Sequence, residues 1–338
     1  MPSPIFTRRE FLQLVCGAIP CFSAIGEVPE VMTVNGSMPA DNLSTSLIHE
    51  HFLVDFIGAD KINYNRWDRD SVIKKVLPHL LAAKDRGVKS IFDCTPAFLG
   101  RDPQLLRMIS QESGLTIITN TGYYGAVQNK YLPGWAFTES AEQLAIRWIN
   151  EFEIGIEQTS VKPGFLKISV DPGPLSDIHK KIVQAAALTH LKTGLTICSH
   201  TGVAPDAYEQ IEILEKQGVH PNAFVWVHAQ SEKDKIHYLT IAKKGAWISL
   251  DGIGWGNFDD YADSILLMKE NKLLNRVLIS HDAGWYKPDE PAGEFKGYTN
   301  IFDELRPRLE AKGFSINDFD QLLIKNPAEA FAIRVRKK

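Results

Sequence analysis

The sequence predicts an α/β fold, a (β/α)₈ TIM barrel with extra helices at its C-terminal end. From residue 43 onward short β-branched or aromatic runs alternate with helical stretches. There are eight such runs, and most end in a polar residue followed by a loop. Alternating βα units make parallel sheets, and eight of them close a barrel.

Each element has its own reason. The first strand candidate, LSTSLIHEH (43–51), is an apolar run that ends in histidines. VKSIFDCT (88–95) follows Gly87, and LTIITNTG (115–122) follows Gly114. GFLKISVD (164–171), GLTICSHTG (194–202) and AFVWVHAQ (223–230) come next, then GAWISLDG (245–252) and RVLISHDAG (276–284). Helical periodicity fills the gaps, for example at 70–87, 141–158 and 206–218. Gly87, Gly114, Gly194, Gly218 and Gly245 fall where a helix must stop and turn into a strand. The tail after Tyr298 reads as terminal helices covering the barrel.

Composition narrows the function classes. The chain has 338 residues, 44% hydrophobic and 23% charged, as an ordinary globular protein does. A formal net charge of −4 and the lack of a basic stripe argue against nucleic acid. No apolar run reaches the roughly 18–20 residues of a membrane span. Residues 1–26 differ in kind: Arg8 and Arg9 precede a moderately apolar stretch ending near Gly26. That pattern predicts a twin-arginine-type signal peptide, with the export machinery as a transient partner and the periplasm as destination. Residues 27–338 then form a single domain, with Cys94 and Cys198 as small buried thiols.

The chemistry gathers at strand ends. His49 and His51 are two apart, so on a strand both imidazoles face one way and Glu50 the other. Lys167 lies toward the end of the fourth strand, His200 ends the fifth, His228 the sixth and Asp282 the eighth. In such a barrel these ends converge. Singly, each histidine reads as a satisfied polar residue, but an ammonium inside an apolar strand is costly unless paired. Together they predict a metal site. A neutral Lys167 amine could add carbon dioxide and become an anionic carbamate with two donor oxygens. Two divalent ions could share it, with His49, His51 and Asp282 on one and His200 and His228 on the other. Nitrogen and oxygen donors suit Zn²⁺, with Mn²⁺, Co²⁺ and Fe²⁺ as alternatives.

This set resembles the phosphotriesterase family of the amidohydrolase superfamily. The likeness covers most of residues 43–335, including GRDPQLLRMISQESGLTIITNTGYY, LISHDAGWY and NPAEAF. It implies a binuclear hydrolase that carries an N6-carboxylated Lys167, with Asp282 as both ligand and base. It also implies a small-molecule substrate, with a homodimer left open. Tyr124 in TGYYG matches a pocket tyrosine of the family's lactonases, and Trp255 and Trp285 could wall the pocket. Two departures weaken the lactonase reading. Leu250-Asp251-Gly252-Ile253-Gly254 stands where those lactonases carry LDRYG, and HAQ (228–230) replaces the more usual His-Ser. The expectation is therefore cleavage of an ester-type bond in a lactone, carboxylic ester or phosphoester. The alternatives are a C–N hydrolase and a metal-holding periplasmic binding protein.

Overall fold

The computed structural model describes residues 28–338, so the signal segment expected at residues 1–26 lies outside the described residues. A short antiparallel hairpin comes first, β1 (Glu30–Thr33) and β2 (Gly36–Pro39). The barrel strands are β3 (Ser46–Leu53), β4 (Ser90–Asp93), β5 (Thr116–Ile118), β6 (Asn120–Thr121) and β7 (Phe165–Ser169). They continue with β8 (Ile197–His200), β9 (Phe224–Val227), β10 (Trp247–Leu250), β11 (Val277–Ile279) and β12 (Gly284–Tyr286). Pairing is parallel throughout, in the orders β12-β3-β4-β5 and β6-β7-β8-β9-β10-β11.

The two sheets are one barrel because two of the eight expected strands are broken. The third breaks at Thr119 into β5 and β6, and the eighth breaks at residues 280–283 into β11 and β12. Backbone bonds bridge the second break: Asp282 donates to the His49 carbonyl at 2.9 Å, and His51 to the Ala283 carbonyl at 2.8 Å. The first strand runs to Leu53, two residues past its expected end, because β12 pairs with it.

Helices cover the outside. Arg69–Asp85 starts at an Asp68 cap and turns Val72, Val76, Leu80 and Ala83 inward. The stretch expected to be helical over 141–158 begins with a Ser140–Gln143 capping box and stops at Glu153. Gly155, at φ 130°, leaves the helical region, and only the short turn Ile156–Gln158 follows. Among the described residues no helix is long and apolar enough to cross a membrane.

Alternation along the strands sets the layers. On β7, Leu166 and Ile168 face the helices, while Phe165 faces the barrel interior. The end of the barrel away from the strand C-termini is sealed. Phe331, on the last helix (Asn326–Phe331), packs 4.3 Å from Phe92 and 5.7 Å from Phe165, ring centre to ring centre. Arg336 then fixes the tail by donating to the carbonyls of Ala330 and Ala332 at 3.0 and 3.1 Å. Its backbone N–H donates to His190 Nε2 at 2.9 Å.

Candidate metal centre

The residues singled out in the sequence meet at the C-terminal ends of the strands. His49, His51, Lys167, His200, His228, Asp282, Tyr124 and Trp285 all line one cavity. Trp255 does not line that cavity. It is half exposed on the rim, 5.5 Å from Trp285 between ring centres. Its Nε1 donates to the Asp282 carbonyl at 3.0 Å.

Simple alternation does not account for these positions. In β3 both Leu47 and Ile48 are buried, Ile48 in the barrel interior and Leu47 under the helices. Counting back by twos from His49 would put Leu47 inside. A register shift between Leu47 and Glu50 resets the phase, as a β-bulge beside an active site does. On β9, Val225 and Val227 face inward, so His228 should face out. Its left-handed backbone, φ 61°, turns it back to the cavity, and Asp282 is likewise at φ 51°. Non-glycine residues rarely hold such angles, at about 1–3 kcal/mol each, unless the surroundings over-determine them.

Hydrogen bonds decide which imidazole nitrogen faces the cavity. His49 Nδ1 lies 3.1 Å from Asp251 Oδ2, and His228 Nδ1 lies 2.7 Å from Asp251 Oδ1. Asp251 is fully buried, and its carboxyl is held well below the usual range. Burial opposes that shift, and the two histidines outweigh it. As an acceptor-only carboxylate it takes an N–H from each ring and turns each Nε2 toward the cavity. His51 is set the same way. Thr95 Oγ1 donates to the Leu53 carbonyl at 3.0 Å and so accepts from His51 Nδ1 at 2.8 Å. Among the described residues His200 lacks such a partner, and Tyr124 OH stands 3.2 and 3.3 Å from its two nitrogens.

Among the described residues two triads have donor atoms close enough to hold an ion: His49, His51 and Asp282, and His49, His228 and Asp251. Only the first is a plausible set of direct ligands, because Asp251 sits behind both rings on their Nδ1 side. Its position is that of an orienting partner. His51 Nε2 is 3.0 Å from Asp282 Oδ1, and His49 Nε2 is 3.5 Å from the same oxygen. Lys167 Nζ reaches His49 Nε2 at 3.0 Å and is 2% exposed. Burial, then Lys167, lowers the pKa of His49 to about 4, and burial with His228 carries His200 well below its usual value. Burial resists charging His228 too, but Asp251 prevails and raises it. This cluster of imidazole nitrogens, a carboxylate and a buried amine fits the donor chemistry of a divalent ion.

Glu50 has its own task. Fully buried, its Oε1 accepts from Ser280 Oγ at 2.8 Å, His281 N at 3.0 Å and His281 Nδ1 at 2.7 Å, and its Oε2 accepts from Ala283 N at 3.0 Å. It thereby clamps the break that carries Asp282. Ser280 turns to Glu50, because the strand has already ended at Ile279. Gln230, noticed in the sequence only as a departure, holds Asp251 by donating from Nε2 at 3.1 Å. Asp251 and Thr95 went unassigned although both end strand runs in a polar residue, which was the available signal. Cys94 and Cys198 are free and buried, and burial pushes both thiols upward.

The model of the phosphotriesterase family matches residues 29–331. The phosphotriesterase homology protein of Escherichia coli is 29% identical over 298 residues, 87% of this chain and 100% of that protein. An aryldialkylphosphatase of Saccharolobus solfataricus is 28% identical, covering 88% of this chain and 97% of its own length. An N-acetyltaurine hydrolase of Bos taurus is 26% identical, over 89% and 97%. A crystal structure of the Escherichia coli homology protein, with phosphate in its active site, superposes with a TM-score of 0.75 at 26% identity, covering 86% of this chain and 99% of that one.

Proposed function

The chain belongs to the phosphotriesterase family, and from that premise we propose that it is a binuclear metal-dependent hydrolase of an ester-type bond, in a lactone, a carboxylic ester or a phosphoester. The observation that carries this reading is Lys167, 2% exposed, whose Nζ has, among the described residues, only an imidazole nitrogen as its hydrogen-bond partner. A bare ammonium there is costly. Once deprotonated, the Lys167 amine would add carbon dioxide and release a second proton, leaving an N6-carboxylate anion of two donor oxygens among His49, His51, His200, His228 and Asp282. Divalent ions held by these residues, Zn²⁺ first and Mn²⁺, Co²⁺ or Fe²⁺ otherwise, would supply Lewis-acid chemistry to polarise the scissile group and to activate water at neutral pH.

The protein's own residues do the rest. Asp282 accepts the proton. Its carboxyl is held below the ordinary range, because His49 and His51 outweigh the opposing effect of burial. It is thus ionised and ready at neutral pH. Val54, Leu99, Tyr124, Tyr131 and Trp285 give the cavity apolar walls, which suit an apolar acyl or leaving group. The N-acetyltaurine hydrolase relatives favour a second reading, C–N cleavage at the same site. For location we propose the periplasm, reached through the Arg8-Arg9 segment. Export that survives replacement of both arginines by lysine would refute it.

The test begins with metal content per mature chain, from cells grown with zinc or manganese and bicarbonate. Two ions per chain and turnover of esters, but not of matched lactams, are expected. One ion or none sinks the carbamate bridge, and lactam turnover alone moves the assignment to C–N hydrolysis.

A further inference from the structure

We propose that Asp171 is a positioning residue that holds one wall of the substrate cavity and so sets the affinity for bulky apolar substrates. The wall is the turn Val127–Asn129, between Tyr124 and Tyr131; Val127 and both tyrosines line the cavity. Val127, Gln128 and Asn129 sit at φ 61°, 55° and 63° in succession, and Asn129 N closes the turn on the Gly125 carbonyl at 3.2 Å. This is a turn of left-handed helix without a glycine in it. The hand is unfavourable for L-residues, and most of all for a β-branched one such as Val127. Val127 is 53% exposed, so burial does not hold it there.

The carboxylate of Asp171 does. Val127 N donates to Oδ1 at 2.7 Å and Gln128 N to Oδ2 at 3.1 Å. Consecutive amides of such a turn converge to cradle an anion, here supplied by the protein itself. The flanks are tied elsewhere. At the entrance Ala126 N donates to Ser169 Oγ at 2.8 Å, and His179 Nε2 lies 3.0 Å from the Gly125 carbonyl. A side chain at Gly125 would come within 2.8 Å of the Ser169 carbonyl. At the exit Lys130 Nζ donates to the Phe56 carbonyl at 2.6 Å. Among the described residues, Asp171 alone bonds the amides of Val127 and Gln128. It lies two residues past Ser169, at the end of β7, the strand that carries Lys167. The wall is therefore referenced to the same strand as the reacting centre.

The kinetic part of this inference rests on the hydrolase reading, and the structural part does not. The experiment is amide hydrogen exchange together with ester kinetics on the full mature protein, for the parent, Asp171→Ala and Asp171→Asn. In Asp171→Ala, exchange at Val127 and Gln128 should quicken by about tenfold or more. KM for a bulky aromatic ester should rise about fivefold, with kcat on a small acetate ester and metal content unchanged. Asp171→Asn keeps a carbonyl acceptor and should fall between, and it decides the matter if the alanine variant does not fold. Unchanged exchange overturns the inference, as does a uniform loss of kcat accompanied by loss of metal. If no ester is turned over at all, the hydrolase reading fails, and exchange still decides whether Asp171 holds the wall.

Discussion

The two ends of the barrel are built on opposite principles. At the sealed end, Phe92, Phe165 and Phe331 pack ring against ring, and Arg336 caps backbone carbonyls of the last helix. At the open end, His228, Asp282 and Trp285 hold left-handed backbone angles, and buried carboxylates at Glu50 and Asp251 are consumed in orienting neighbours. One end stabilises by burying apolar surface. The other spends part of that stability on placing polar atoms, and the difference predicts which substitutions unfold the protein and which only silence it.

The sharpest break in that contrast is Asp282→Asn. Loss of the base proposed at Asp282 should lower kcat/KM by about 10²–10⁴-fold, while the melting temperature holds or rises, since asparagine tolerates the left-handed angle. Steady-state kinetics beside thermal melts would show it; a large fall in melting temperature would contradict the contrast. Phe331→Ala should do the reverse. Urea unfolding should register a loss of about 3–5 kcal/mol, with metal content and activity per folded molecule kept. Asp251→Ala comes next, because it frees His49 and His228 together; metal affinity measured by competition with a chelator should fall about 10–100-fold.

The pH response separates the ends again. Burial lowers the pKa of His190 from its ordinary 6.5 to about 4, and its Nε2 accepts the Arg336 amide. The unfolded chain therefore binds the extra proton first. Stability from this group is complete above pH 6.5 and is lost as pH falls toward 4, on the order of 3 kcal/mol. Urea midpoints at pH 7 and pH 5 should differ in the parent and differ less in His190→Gln. The smallest effect is expected from Thr95→Val, which unsettles His51 alone and should lower activity about tenfold or less.

Much of this was legible in the chain. The alternation of strands and helices, their number, and the polar residues that end the strands placed His49, His51, Lys167, His200, His228 and Asp282 near one another. The partners that orient them were not legible. Glu50 meets His281 across 231 positions, and His49 meets Asp251 across 202, separations that strand periodicity cannot register. The bulge in β3 and the left-handed angle at His228 each reverse what a count by twos predicts. Trp255 stands on the rim, held by the Asp282 carbonyl, and lines the adjoining cavity that also reaches Asp282.

By itself the sequence determined the barrel and the donor types, because hydrophobic periodicity and residue chemistry are local properties that any register of the chain would keep. Only the tertiary structure decided which nitrogen of His49, His51 and His228 faces the cavity, which carboxylate is an orienting group, and which turn is held against its preferred hand. Those choices depend on single hydrogen bonds between distant segments. The closed barrel brings their partners together and excludes water, so that a buried polar group left unpaired becomes costly.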